Sequence, residues 1–338
     1  MSGLAMILKN KGFQVGGSDL RESDFTRMLK DHGIPVAIGH NANAVNDAGL
    51  VIYSAAIKPE NPELAAAKER GIPMLERSVA LGMLSGDYKR VIGISGCHGK
   101  TTITSMLALI TQNAKDDPTI HVGGMVDFLG CGVRLGQGDS FITEACEYVR
   151  SFLTLHPTHI VINNIDDDHL DYYQNIEEII DTFKAFTDLL PRDGILFANP
   201  SDDNTLPVIA HCREQGKQVI TYSVQDPADY QAENITFDQM GCAHFEVTFQ
   251  GKTLGSIQLN VPGLHNVQNA LAATVVAMVV YQTTIEECAA QLAPYHLAGR
   301  RFELMGEVAG VKIFHDYAHH PSEIRACLAA AKRYPHKK

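Results

Sequence analysis

The sequence predicts an α/β protein of more than one domain, built mainly on parallel sheets. Three observations predict it. The chain has 338 residues, more than one compact domain usually holds. Short apolar runs alternate with helical runs through most of it, and that order implies crossovers between parallel strands. A glycine-rich turn, "ISGCHGKTTI" at residues 94–103, joins a buried strand directly to a helix.

In residues 1–88, "GLAMILKNKGF" has helical spacing and ends at Gly12, and "QVGGSD" is a short strand. "DFTRMLKDHGI" reads as helix, "PVAIG" and "GLVIYSA" as strands, "NPELAAAKERGI" as helix and "PMLE" as strand. This unit opens inside a helix, whereas a doubly wound domain normally opens with a strand. A second unit, 89–297, starts with the buried strand "VIGIS" and the helix "TTITSMLALITQ". The strands "SFITEA" and "HIVINNI", the helix "NIEEIIDTFKAFTDLL" and the strands "GILFAN" and "KQVITYS" follow. "AHFEVTF" and "GSIQLNVP" flank "QGKTLG" as an antiparallel hairpin, before the helices "NVQNALAATVVAMVV" and "TIEECAAQLAPY". A third unit, 298–338, has two strands turning at Ala309-Gly310 and the helix "PSEIRACLAAAKRY" with Pro321 at its start. That is too little to bury a core of its own, so it docks on the middle unit or is incomplete.

Composition narrows the function. Acids outnumber bases 39 to 28, a net charge of −11, which argues against nucleic acid as the main partner. The seven cysteines are scattered, with no C-x-x-C pair, which suits a reducing cytoplasm and not a disulfide framework or zinc ribbon. The longest apolar run, "NALAATVVAMVVY", is too short for a membrane span, and no signal-peptide pattern opens the chain.

The turn departs from the common phosphate loop, G-x-x-x-x-G-K-[ST], because Ile94 stands where the first glycine belongs. Its plain reading is a glycine turn. Its context favours a nucleotide, since backbone N–H groups at a helix start and the helix dipole attract anions. Lys100 adds a cation for phosphates and Thr101 a hydroxyl for Mg²⁺. Glu144 and Glu147 follow one strand; Asp166, Asp167, Asp168 and His169 follow another. Ligands of open parallel sheets sit beyond such strand ends, although acids there also cap helices and a lone His is more often structural.

These residues resemble the Mur ligase family, ATP-dependent amide-forming ligases of peptidoglycan precursor synthesis. That family carries G-[TS]-x-G-K-[TS]-[TS], the spacing seen here, with Cys97 in place of the usual Thr. The resemblance spans nearly the whole chain: "GSDL", "VIYSAAIKPENPEL", "GCHGKTTITSML", "EACEY", "NIDDDHLDYY", "VPGLHNVQNALAA" and "RRFELMGEVAGVKIFHDYAHHPSEI". "SAAIKPENPE" and "DYAHHPSEI" are the most specific, and point to the branch acting on UDP-N-acetylmuramate and L-alanine. The nearest competitor attaches a preformed tripeptide to the same sugar nucleotide. A different class is a nucleotide-binding remnant without ligase activity.

The resemblance implies a three-domain α/β architecture. It comprises a Rossmann-like N-terminal domain lacking its first strand, a central ATPase-like domain, and the start of a Rossmann-like C-terminal domain. On that expectation the chain is a fragment short at both ends. ATP and Mg²⁺ are the implied cofactors. Lys100 would neutralise β/γ-phosphate, Thr101 and Glu144 would hold one Mg²⁺, and His169 a second ion. Gly96, Cys97, His98, Gly99 and Thr102 would form the rest of the loop. His265, Asn266 and Asn269 would face the base, Arg301 the phosphates, Asp316 the ribose and His319 the incoming amino acid. Ser18 and Asp19 would lie near the uridine, Ser54 in the sugar-nucleotide domain, and Arg134 near the muramic acid. Plainer readings stand beside these. Asn266 and Asn269 suit helix capping, Arg301 an interdomain ion pair, and Ser18 and Asp19 an ordinary polar loop. His315, His319 and His320 could form a metal cluster. Arg150 would place a positive charge near the metal acids. Replacing Lys100 by Ala is expected to abolish phosphate release with the fold intact.

Overall fold

The computed structural model describes residues 1–126, 130–297 and 301–334. In the first unit come α1 (Ser2–Asn10), β1 (Gly17–Asp19), α2 (Asp24–Asp31), β2 (Val36–Ile38), β3 (Val51–Tyr53), α3 (Pro62–Glu69), β4 (Met74–Glu76) and α4 (Arg77–Ser85). The capping box of Ser23 with Thr26 starts α2, and Asn61 caps α3 ahead of Pro62. The expected parallel sheet is present as two separate parallel pairs, β1–β2 and β3–β4. α4 carries only a weak apolar periodicity and was not anticipated. It docks on the middle unit, where Thr154 Oγ1 donates to Ser78 O at 2.8 Å and Ser85 Oγ accepts from His156 N at 3.0 Å.

The middle unit holds β5 (Arg90–Ser95), α5 (Lys100–Thr111), β6 (Thr119–Val126), β7 (Cys131–Arg134), β8 (Ser140–Glu144), β9 (His159–Ile162) and α6 (Ile176–Asp188). It continues with β10 (Ile195–Ala198), α7 (Leu206–Glu214), β11 (Gln218–Ser223), β12 (Tyr230–Phe237), β13 (Cys242–Phe249), β14 (Lys252–Pro262), α8 (Leu264–Tyr281) and α9 (Ile285–Leu292). One ten-stranded sheet runs β14-β13-β12-β11-β10-β9-β5-β8-β6-β7. It is parallel from β12 to β6 and antiparallel at both margins. β6, β7, β12 and α7 were not anticipated; Gly123 and Gly124 break the apolar run of β6.

Both sheet faces are covered, so the central strands are apolar on both sides. Ile92, Ile94, Ile142, Val161 and Phe197 pack with α5 and α8; Val91, Phe141, Ile160, Ile162 and Leu196 pack with α6 and α7. This is the period-two alternation of a pleated strand, used twice. α8 is long and apolar enough to cross a membrane, but 72% of it is buried inside the core. In the third unit, β15 (Glu303–Val308) and β16 (Val311–His315) form an antiparallel hairpin, with Ala309 and Gly310 at its turn as expected. α10 (Pro321–Arg333) follows and packs on α8.

α1 lies against β6 and β7, where a Cβ on Gly3 would stand 2.9 Å from the ring of His121. Burial pulls His121 from the ordinary 6.5 to about 3, aided by Arg77 and the chain's amino terminus. Below pH 6.5 the unfolded chain takes up this proton and the folded chain does not. Stability is therefore full above that value and falls as pH drops toward 3, with a slope approaching about 1.4 kcal/mol per pH unit. Urea melts across this window should show the loss, and His121→Gln should remove its share of the slope.

Candidate active site

β5 lies between β9 and β8, so chain connections leave its carboxyl end in both directions. A crevice opens at such a switch point, and the glycine-rich turn fills it. Gly99 caps α5 with φ 90° and ψ −9°. A Cβ there would stand 2.5 Å from Asn269 Oδ1 and 2.8 Å from Asn163 Nδ2, so the turn rests directly on this buried asparagine pair. Asn163 Nδ2 donates to Asn269 Oδ1 at 3.1 Å and to His98 O at 3.2 Å. Cys97 N donates to Asn164 O at 3.2 Å, and His98 N to Asn164 Oδ1 at 2.7 Å. The first amides of α5 remain for an anion. Cys97 does more than replace Thr: its Sγ accepts from Asp166 N at 3.1 Å, tying the turn to the end of β9. Burial, with Glu147 nearby, pushes its thiol well above its ordinary value.

Lys100 folds back on the turn. Its Nζ donates to Gly96 O at 2.6 Å and to both Glu147 carboxylate oxygens at 3.0 Å. Burial alone would lower this ammonium, but Glu147, Cys146 and Cys97 together outweigh burial and the group is raised. Glu147 itself is 1% exposed. Removing Lys100 would strand a buried carboxylate, so the expectation that Lys100→Ala leaves the fold untouched is revised.

Two acid groupings flank the turn. Glu144 Oε1 accepts from Gly123 N at 2.7 Å, and the adjoining Gly124 lies beside Thr101. Among the described residues the Thr101 hydroxyl has no hydrogen-bond partner. A hydroxyl and a carboxylate are oxygen donors of the kind a hard cation such as Mg²⁺ takes. His169, at φ 56°, stands instead with Glu147 and Asp168, their ligand atoms within 4.8 Å of one another. Glu147 was legible as a strand-end acid; its burial was not.

A cavity of about 360 Å³ adjoins the turn. His98, Gly99, Thr102, His265, Asn266 and Asn269 line it from the middle unit. Arg301, Asp316 and one side of α10, including Ala326 and Ala330, line it from the third. Burial pulls His265 down to about 4, opposed by Asp316 and aided by Arg301, so its ring is neutral at neutral pH. Asp316 accepts from Phe302 N and Ala318 N, each at 2.7 Å. Gln268 also lines the cavity, with neither amide atom partnered among the described residues; a Gln within an apolar helix was its only sequence signal.

Other expected residues lie elsewhere. Arg134 does not reach the crevice. It sits beside the amino end of β6, away from the strand ends that form the crevice, holding Asp117 Oδ1 at 2.6 Å and Pro118 O at 2.8 Å, because β7 runs back along β6. Arg150 turns to Glu178 at 2.8 Å, away from the acids it was expected to perturb. Ser18 Oγ donates to Glu63 Oε2 at 2.7 Å within the first unit, Asp19 O accepts from Gly39 N, and Ser54 Oγ accepts from Ala56 N. His319 is exposed beside Glu323. His320 does not cluster with His315 and His319; it meets Asp166 and His98.

Residues 94–277 match the Mur ligase middle domain, 1–89 the catalytic domain of the Mur ligase family, and 300–338 the glutamate ligase domain of Mur ligases. A UDP-N-acetylmuramate--L-alanine ligase of Alkaliphilus metalliredigens is 45% identical over 344 residues, spanning 100% of this chain and 73% of that protein. The protein of the same name from Caldanaerobacter subterraneus subsp. tengcongensis is 44% identical over 338 residues, with the same coverage. The crystal structure of UDP-N-acetylmuramate-alanine ligase MurC from Thermotoga maritima matches with a TM-score of 0.85 at 27% identity, over 98% of this chain and 75% of that one. A murein peptide ligase from Psychrobacter arcticus matches with a TM-score of 0.82 at 26% identity, over 98% of this chain and 74% of that one.

Proposed function

This chain belongs to the Mur ligase family, and from that premise we propose that it joins L-alanine to the lactyl carboxylate of UDP-N-acetylmuramate, driven by ATP, in peptidoglycan precursor synthesis. It is a carbon–nitrogen ligase. The observation that carries the reading is one crevice in which the phosphate turn, the acid-bearing ends of β8 and β9, and a cavity closed by α10 adjoin. The choice of L-alanine rests on the relatives' names.

The chemistry explains the need for such a crevice. A carboxylate is a poor electrophile and has no leaving group. Phosphorylation by ATP turns it into an acyl phosphate, which an amine attacks and phosphate leaves. Bringing carboxylate and triphosphate together requires that several negative charges be offset. In this reading Lys100 leaves Glu147 for the β/γ-phosphates, and the turn's amides, with Gly96, Gly99 and Thr102, cradle them. Thr101 with Glu144, and His169 with its acidic neighbours, would hold Mg²⁺, which would supply charge neutralisation there. His265, Asn266 and Asn269 orient the base, Asp316 the ribose and Arg301 the phosphates. His319 faces the amino acid, and Ser18, Asp19 and Ser54 serve the sugar nucleotide. The domains divide as 1–88, 89–297 and 298–338, and the cytoplasm, where ATP and the sugar nucleotide are made, suits the activity.

Phosphate release is the test. It should require both UDP-N-acetylmuramate and L-alanine. Release with a tripeptide acceptor but not L-alanine would identify the recycling activity instead, and ATP binding without any dependent release a non-catalytic protein.

A further inference from the structure

A second cluster beside the turn is made of three side chains to which the ligase reading gives no role of their own. His98 Nε2 stands 3.2 Å from Asp166 Oδ2, and His320 Nδ1 stands 3.4 Å from the same oxygen. The two rings face each other with centroids 5.0 Å apart. One ligand atom from each of the three residues lies within 4.8 Å of the other two. All three side chains are partly buried where the middle and third units meet.

The outward nitrogen of each ring already has an acceptor. His98 Nδ1 is 3.2 Å from Glu323 Oε1, and His320 Nε2 is 3.2 Å from Asp167 O. A neutral ring places its N–H on those acceptors and leaves a lone pair on the inward nitrogen. Ser322 N also points at His320 Nδ1, at 3.4 Å, which suits an acceptor there. Without an ion, Asp166 Oδ2 accepts from Ser322 Oγ and from a proton on His98 Nε2, and His320 Nδ1 accepts from Ser322 N, so a bound cation takes the place of the proton between His98 and Asp166. Histidines that bind metals are typically oriented in this way, by a carboxylate or a backbone carbonyl on the far nitrogen. The spacing also fits. Ligands about 2.0–2.1 Å from a tetrahedral zinc stand about 3.3–3.4 Å from one another. Two imidazoles and one carboxylate favour zinc, cobalt or nickel over magnesium.

We propose that His98, Asp166 and His320 form a binding site for one divalent transition cation of the zinc class. Its ligands come from the phosphate turn, the end of β9 and the residue that caps α10, so the bound ion staples the third unit to the turn. It is distinct from the oxygen-donor position at Thr101 and Glu144 and from the grouping around His169.

The test is titration of the untagged full chain with Co²⁺ in excess Mg²⁺, without nucleotide. Saturation at one equivalent is expected, with the visible absorption of four-coordinate cobalt, and Zn²⁺ should displace it. His320→Asn, which keeps a capping side chain, and His98→Asn should each lose the band. Glu323→Gln should weaken cobalt binding about 10- to 100-fold by freeing the His98 ring. His211→Asn, at an exposed histidine paired with Asp188, should change nothing. No saturable binding to the parent chain, or an unchanged band in folded His320→Asn, would overturn the proposal. If His320→Asn does not fold, as judged by circular dichroism, unchanged affinity in Glu323→Gln overturns it equally.

Discussion

Replacing Lys100 by Met is expected to lower phosphate release by about 10³-fold or more and to destabilise the chain at the same time. The two losses have different origins. The first follows from the proposed role of the ammonium on the transferring phosphoryl group, where one lost charge-stabilising contact costs about 10²–10³-fold and one lost cation up to about 10⁵-fold. The second follows from Glu147, which is 1% exposed and takes both its short contacts from Lys100 Nζ. A buried carboxylate stripped of its partner costs about 3–5 kcal/mol. The double variant Lys100→Met/Glu147→Gln separates them. Urea unfolding should recover most of the stability, while a phosphate-release assay should stay at the level of the single variant. Turnover surviving in Lys100→Met would remove the ATP assignment. A single variant as stable as its parent would mean that the ion pair contributes nothing to the fold.

The second large effect is expected at Gly99. With φ at 90°, any other L-residue there is strained by about 1–2 kcal/mol. Space decides the rest: the added methyl would stand 2.5 Å from Asn269 Oδ1. Neither Asn269 nor Asn163 can retreat, because they are buried and bonded to each other. The turn must move, and a displacement near 1 Å costs about 100-fold where geometry governs the chemistry. Gly99→Ala should therefore weaken ATP binding by about 100-fold in calorimetric titration, with little change in the far-ultraviolet circular dichroism. Unaltered ATP affinity would show that the turn is not the phosphate cradle.

Much of this was legible in the sequence, and the reasons are local. Strand β5, the turn and α5 announce themselves because a buried strand, three glycines and a helix start are contiguous. The central strands are readable because burial on both faces makes them continuously apolar. What was not legible depends on distance along the chain. Glu144 and Glu147 look alike at a strand end. Only the turn after them, with Val149 and Arg150 at positive φ, places Glu147 against Lys100 and Glu144 against Gly123. Arg134 sits in a glycine-flanked run whose strand pairing no periodicity reveals, so its partner Asp117 could not be foreseen. The contact of His98 with Glu323 joins residues more than two hundred positions apart and exists only once α10 has docked. Helix α4 was missed because its apolar residues do not fall on one clean face.

The cavity beside the turn has α8 for one wall and α10 for another. A nucleotide filling it touches two bodies, so its affinity is a property of their arrangement as much as of the side chains. Thermodynamic reciprocity then applies. The factor by which a docked α10 tightens the nucleotide is the factor by which the nucleotide favours docking. Chains whose third unit stands away bind more weakly, in proportion to the fraction competent to bind. Affinity for the nucleotide can thus be tuned by substitutions on the α10 surface that never touch it.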